Sequence, residues 1–342
     1  MQRRQILRWG CGMMAAGAST AAWTRSPAAP PVWRERALLG LGTTLWLKAA
    51  HASAERADAA LDAAVRAIRE VERQMSLFNA DSALQRLNAT GRLDRPDPAL
   101  RSILMLSREI ARRSNGTFDV SMQPLWQLWS SAAAQGSMPS AKALERARQA
   151  VNWRALDVSS DAIRLNLRGM QLSLNGIAQG YAADSARDAL IAHGIEHALI
   201  DTGETALLGD APANEPWSFG IEDAVAKHAE VGKPVDSNGM PIVRSDGRAI
   251  ATSSDAHTRF SADCRHHHIL DPRTGYSPTH WASVTVIARR CVVADALTKV
   301  FFMLPPSQIM QAARTWGVDV VLQDKHGQWI ASPGAGVRLP AA

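Results

Sequence analysis

The chain's 342 residues, 46% of them hydrophobic, hold enough apolar content for the core of one large domain or two small ones. The formal net charge is +6, but Arg3, Arg4 and Arg8 fall in a removable leader whose loss lowers it by three, to +3. No basic run interleaves with aromatics, so composition argues against nucleic acid as a partner.

Residues 1–22 read as an export signal: a basic start, a small and apolar middle from Cys11 to Ala18, then small residues. The string RRQILR is twin-arginine-like, which implies a periplasmic or otherwise exported protein. Thr20-Ala21-Ala22 and Ala16-Gly17-Ala18 are the candidate cleavage sites. The middle is too short and too rich in Gly and Ala to span a bilayer, so no transmembrane segment is expected in the mature chain. Trp9 speaks against a lipoprotein signal at Cys11. Residues 23–36, with Pro27, Pro30 and Pro31, read as a linker, leaving 37–335 as the folded domain. Cys264 and Cys291 remain after the leader, and their pairing is left open. Cys264, His266, His267 and His268 do not make a zinc site, because consecutive strand residues face opposite sides.

Residues 37–48 read as a strand with a flexible opening at Gly40 and Gly42. Leu61, Val65, Ile68, Val71 and Met75 recur at helical spacing and put one stripe toward the core. Ser82 caps a short helix, and Asp97-Pro98 opens the next, which closes at Ser114-Asn115-Gly116. Pro124 interrupts the aromatic-rich segment 117–129, and Ser140 caps a helix to about Ala150. Residues 163–167 and 171–174 pattern as a hairpin through Gly169. A strand ending at Leu174 leads to a helix from about Ala178 to Gly194. Its Gly-x-x-x-Gly start suits either a phosphate or close helix packing. Asp201 to Glu204 form a turn with two carboxylates. Residues 217–221 are a strand, 251–255 a polar strand end, 283–288 a β-branched strand, and 291–304 a helix. Residues 318–322 and 328–332 close the chain as a hairpin. Strands and helices mix without regular βαβ alternation, so the class is α+β, with mixed or antiparallel sheets and packed helices.

The stretch HHHILDPRTG, residues 266–275, places His268 at a strand end before a rigid turn set by Asp271, Pro272 and Gly275. Such a histidine is either structural or a base. Asp295, Thr298 and Lys299 share one helix face at i, i+3 and i+4. By itself that pattern reads as an N-terminal acid with a local ion pair.

In their order and spacing these segments resemble the ApbE-type flavin transferases, from about residue 38 to 330. The carriers of the likeness are Leu41-Gly42-Thr43; Ser76, Phe78, Ser82, Leu84, Leu87 and Asn88; and Gly116, Phe118 and Asp119. They continue with Gly176, Ile177, Ala178, Gly180, Tyr181 and Asp184; Ala251 to Ser253; His268 to Gly275; Ser283 to Val286; and Ala294 to Leu297. The resemblance implies an enzyme that moves FMN from FAD onto a threonine hydroxyl of an exported or membrane-bound acceptor protein, with Mg²⁺ on the pyrophosphate and AMP leaving. It implies His268 as base, Asp295, Gly176 and Thr298 as metal ligands, and Leu41, Phe78, Thr117, Phe118, Asp119, Ser173, Gln179 and Ile269 as flavin-nucleotide contacts, with Phe78 and Phe118 against the rings. An FAD carrier without transfer and an FAD pyrophosphatase are the rival activities. The chain departs from the family at Ser173, Gln179, the shortened Gly203-Glu204 turn, and Lys299, which stands where a metal-holding Thr is usual. The expectation is that Lys299 turns outward on its flexible stem and Thr298 completes the metal site.

Overall fold

Leu41 and Gly42 both take left-handed backbone angles, φ 51° and 82°, and fold the first apolar segment back on itself. Strand β1 (Val32–Gly40) therefore pairs antiparallel with β2 (Thr43–His51), Gly40 opposite Thr43. A two-residue turn with both φ positive matches the twist of a hairpin. This corrects the single strand expected over 37–48, because Leu-Gly lacks the Asn-Gly signal that marks such turns. The computed structural model describes residues 30–225, 240–256, 258–261 and 263–339. The export-signal reading of residues 1–22 lies outside them.

Helix α1 (Ala54–Met75) starts where Ser53 Oγ accepts the Arg56 N–H at 3.3 Å, and it buries Leu61, Ala64, Ile68, Val71 and Met75 along one stripe. Ser82 caps α2 (Ala83–Thr90), followed by β3 (Arg92–Asp94). Asp97 and Pro98 open α3 (Pro98–Arg113) as expected. Pro124 lies in the first turn of α4 (Gln123–Ala134) and so begins a helix where an interruption was expected. A proline costs nothing there because the first amides have no partner within the helix. Ser140 caps α5 (Ala141–Gln149).

Strands β4 (Leu156–Val158) and β5 (Ala162–Leu165) join β3 in a small sheet of order β3-β5-β4. The hairpin expected across Gly169 does not form. Residues 171–174 are tied instead by Leu172 N–H to Asn88 Oδ1 at 2.7 Å and Ser173 N–H to the Val120 carbonyl at 2.8 Å.

The rest is α6 (Ala178–Ala192), β6 (His197–Asp201), β7 (Thr205–Leu208), β8 (Ser218–Gly220), β9 (Ile242–Arg244), β10 (Ala249–Ser254), β11 (Trp281–Ala288), α7 (Cys291–Phe302), α8 (Pro306–Trp316), β12 (Asp319–Asp324), β13 (Trp329–Ala331) and β14 (Val337–Arg338). No sequence expectation covers α8, although Pro306 in its first turn and Gly317 at φ 66° are start and stop signals.

The main sheet runs β1-β2-β6-β7-β10-β11-β12-β13, antiparallel at every step. The fold is thus α+β with antiparallel sheets and packed helices. Helix α6 packs between α1 and α7, and all three lie against the sheet. Every residue of β11 is buried, because its far side is covered too. There Ile287 and Val321 pack with Val243 of the three-stranded sheet β14-β9-β8.

Candidate active site

The contact of α6 with α7 is close enough to be a glycine site. A Cβ on Gly180 would stand 2.5 Å from the Cys291 carbonyl oxygen and 2.7 Å from Asp295 Cβ. Close packing is therefore one true reading of the Gly-x-x-x-Gly pattern. The two helices are also stitched by hydrogen bonds: Asp184 of α6 accepts the Cys291 and Val292 amides of α7 at 3.0 and 2.9 Å. These are orphan donors of a helix start, satisfied from a neighbouring helix.

That contact leaves the beginning of α6 with few amides for an anion. The Ile177 and Ala178 N–H groups donate to the Leu174 carbonyl, and Gly180 N–H donates to Asp295 Oδ2 at 2.9 Å. The helix start thus offers less to a phosphate than its sequence pattern promises.

Asp295 is 0% exposed, and its second oxygen, Oδ1, accepts from Lys299 Nζ at 2.5 Å. The same ammonium reaches the Asp295 carbonyl at 3.1 Å. Lys299 therefore turns inward, which corrects the outward orientation expected for it. A fully buried carboxylate without a counter-charge is costly, and a lysine one turn on is within reach to supply it. Gly176 makes room for the lysine stem, since a Cβ there would lie 3.3 Å from Lys299 Cε. Thr298 Oγ1 donates its one proton to the Asp295 carbonyl at 2.7 Å, so in the 2.8 Å contact with Ser253 Oγ it is the acceptor. The hydroxyl expected to complete a metal site is thus bound to backbone and to β10.

The two-carboxylate turn lies beside this pair. Burial first, then the Asp295 charge, pushes the Glu204 carboxyl well above the usual range, while its Oε2 accepts the Thr252 N–H at 3.0 Å. Asp201 is also raised by burial and accepts the Gly203 N–H at 2.9 Å. Gly203, at φ 92°, leaves space for Gln179, whose Nε2 would be 2.6 Å from a Cβ there. Glu204, Thr252 and Ser253 were not among the candidate site residues. Glu204 closes the turn before β7, while Thr252 and Ser253 lie within β10, and only the sheet register brings them to α7.

A divalent ion, which the family resemblance implies, does not fit the residues as they stand. Both Asp295 oxygens already accept hydrogen bonds, one from a cation, and the Thr298 hydroxyl is engaged elsewhere. Among the described residues, no three His, Cys, Asp or Glu side chains converge to hold a metal.

The expected flavin contacts divide. Phe78 is 66% exposed, and a Cβ on Gly42 would lie 2.7 Å from its ring, so the aromatic lies over the β1–β2 turn beside Leu41. Glu72 Oε1 accepts the Leu41 N–H at 3.0 Å and holds that turn to α1. Thr117 is buried with no hydrogen-bond partner on Oγ1. Phe118 is 5% exposed and belongs to the main core, which leaves no open face for a flavin ring and corrects that expectation. The Asp119 carboxylate is spent on the Ser121 amide and hydroxyl, 2.8 and 2.7 Å, and on the Trp153 N–H at 3.0 Å. Ile269 is buried in the same core. Ser173 stays half-exposed beside Val120, so segments 117–120 and 173–176 are neighbours.

His268 is half-buried, with backbone N–H and ring Nδ1 both on the Thr258 carbonyl, at 3.0 and 3.2 Å. A carbonyl only accepts, so Nδ1 carries a proton, and in the neutral imidazole Nε2 holds the lone pair. The turn that follows is rigid as expected: Thr274 and Gly275 N–H donate to the Asp271 carbonyl, and Trp129 Nε1 donates to the Gly275 carbonyl at 2.8 Å. His266 stacks on Trp129, 4.7 Å between rings. Cys264 and Cys291 are both buried, and no disulfide joins them.

His267 alternates inward, and burial foremost, with Lys325 next, lowers its pKa from 6.5 to about 3. Between pH 6.5 and about 3 the unfolded chain binds a proton at this ring and the native chain does not. Stability from this group is therefore complete above pH 6.5 and falls as the pH falls through that window. His267→Gln, which does not titrate, is expected to lose less stability between pH 7 and 5 than the wild type. Urea midpoints at the two pH values check this, and equal losses in both proteins would count against it.

The antiparallel α+β domain thus carries a buried acid paired with a lysine one turn on along α7, and a fixed histidine before a tight turn. The ApbE family profile matches residues 41–322, and the chain belongs to that family. The FAD:protein FMN transferase of Klebsiella pneumoniae is 27% identical over 334 residues, covering 93% of this chain and 91% of that protein. A Treponema pallidum protein of the same name is 30% identical over 293 residues, with 79% and 78% covered. The solved flavinyl transferase ApbE of Pseudomonas stutzeri superposes with a TM-score of 0.73 at 27% identity, covering 88% of this chain and 94% of that one.

Proposed function

We propose that this chain is a flavin transferase that moves FMN from FAD onto a threonine hydroxyl of an acceptor protein and releases AMP. His268 is the observation that carries the chemistry. With Nδ1 held on the Thr258 carbonyl, Nε2 is the nitrogen that takes the threonine proton. The threonine oxygen then forms its bond to the FMN-side phosphorus, and the bridging P–O bond breaks with its electron pair leaving on AMP. Such a transfer needs alignment and charge neutralisation more than covalent help. Phe78, exposed over the Leu41 turn, is the aromatic surface on which the isoalloxazine stacks. The leader of residues 1–22 supports an exported protein with an exported or membrane-bound acceptor. Among the described residues no helix is long and apolar enough to cross a membrane.

The test is incubation of the protein with FAD and a candidate acceptor carrying a threonine, followed by in-gel flavin fluorescence after denaturation. A fluorescent acceptor band with AMP released in equal amount is the expected result. FMN and AMP without a labelled acceptor would make the chain a pyrophosphatase, and intact FAD would make it a carrier.

A further inference from the structure

We propose that Lys299 is the resident cation of the nucleotide site, its ammonium binding the FAD pyrophosphate in place of a divalent ion. This rests on the assignment of the chain as an FAD-dependent flavin transferase.

The pair is built asymmetrically. Asp295 is completely buried, whereas the Lys299 side chain is 22% exposed, so the lysine is the member of the pair that a ligand can reach. Two of its three donors are spent on Asp295 Oδ1 and the Asp295 carbonyl. The third remains for a phosphate oxygen. Gly176, at the head of the segment leading into α6, carries no side chain to block the stem. The ammonium's stem is thereby held beside Gly176, just ahead of the start of α6.

The same geometry leaves the anion few other partners. The amides of Ile177, Ala178 and Gly180 are already bound. A divalent ion entering at Asp295 would have to displace the ammonium from Oδ1 and would be repelled by it at contact distance. A buried carboxylate that fixes a lysine in one rotamer also removes most of the entropy that a flexible stem loses on binding an anion.

The experiment uses the full chain with FAD, with Mn²⁺ as a spin probe for divalent binding. The wild type is expected to quench FAD fluorescence equally in EDTA and in Mg²⁺, and to leave the free Mn²⁺ resonance undiminished when FAD is bound. Lys299→Thr is expected to lose about 10- to 100-fold in FAD affinity in EDTA, the worth of a charged hydrogen bond. It should regain affinity in Mg²⁺ and deplete the free Mn²⁺ signal. Lys299→Arg keeps the charge and the stem, and is expected to bind FAD without metal, which separates loss of the cation from loss of the fold. Uptake of one Mn²⁺ per chain by the FAD-bound wild type overturns the proposal. So does a Lys299→Thr variant that binds FAD in EDTA as the wild type does, which would leave Lys299 a counter-ion to Asp295 and nothing more. A wild type that binds no FAD under either condition sinks the transferase assignment, and the role of Lys299 with it.

Discussion

His268→Ala is expected to slow FMN transfer by ~10²–10⁴-fold, the usual worth of a general base, while FAD affinity stays near that of the wild type. The two effects separate because the ring and the backbone of this residue do different work. The His268 N–H donates to the Thr258 carbonyl whatever the side chain, so the strand end keeps its place. The turn behind it is held independently by the Asp271 carbonyl and by Trp129 on Gly275. What alanine removes is the ring whose Nδ1 is pinned on Thr258 and whose Nε2 is the proposed proton acceptor. Single-turnover transfer to a threonine-bearing acceptor, with FAD binding measured in parallel, checks both halves. Transfer within a few-fold of the wild type would rule His268 out as the base.

Gly180→Ala is expected to cost about 3 kcal/mol of stability, the upper part of the range for overpacking a core. The new methyl would stand 2.5 Å from the Cys291 carbonyl oxygen and 2.7 Å from Asp295 Cβ. Neither is the end of a flexible side chain, so relief requires α6 and α7 to part. Parting them stretches the Gly180 N–H to Asp295 Oδ2 bond, 2.9 Å in the native protein, and carries Lys299 away with its carboxylate. A fall in melting temperature on the order of 5 °C should therefore come with weaker FAD binding. Calorimetry with and without FAD measures both. An unchanged melting temperature would mean that the helices are less tightly seated than their contact distances imply.

Much of this protein is legible in one dimension because it is locally encoded. The starts of α2, α3 and α5 each lie in a serine or an aspartate–proline pair at the cap, whose partner is an amide two or three residues on. The tight turn after His268 follows from Asp271, Pro272 and Gly275 for the same reason. Family membership was legible as well, since it lies in the order and spacing of short motifs, and these survive without any knowledge of contacts. The α+β class follows from strand and helix periods that mix without regular βαβ alternation.

What had to wait for the tertiary structure is every feature whose partner comes from a distant segment. Whether Lys299 turns in or out depends on how deeply α6 and the sheet bury Asp295. Desolvation of that carboxylate outweighs the hydration that would draw the ammonium outward. Phe118 and Asp119 look like ligand contacts in sequence. Instead, the core takes the ring, and Ser121 and Trp153 take the carboxylate. The Gly-x-x-x-Gly start of α6 carries the signs of an anion site and of a packing site alike. Its amides are claimed by Leu174 and by Asp295, the latter lying 115 residues further along the chain. Periodicity and caps report what a residue does to its own helix or strand. Burial, which decides the charge and the hydrogen-bond partner of a polar group, exists only once the other elements have packed around it.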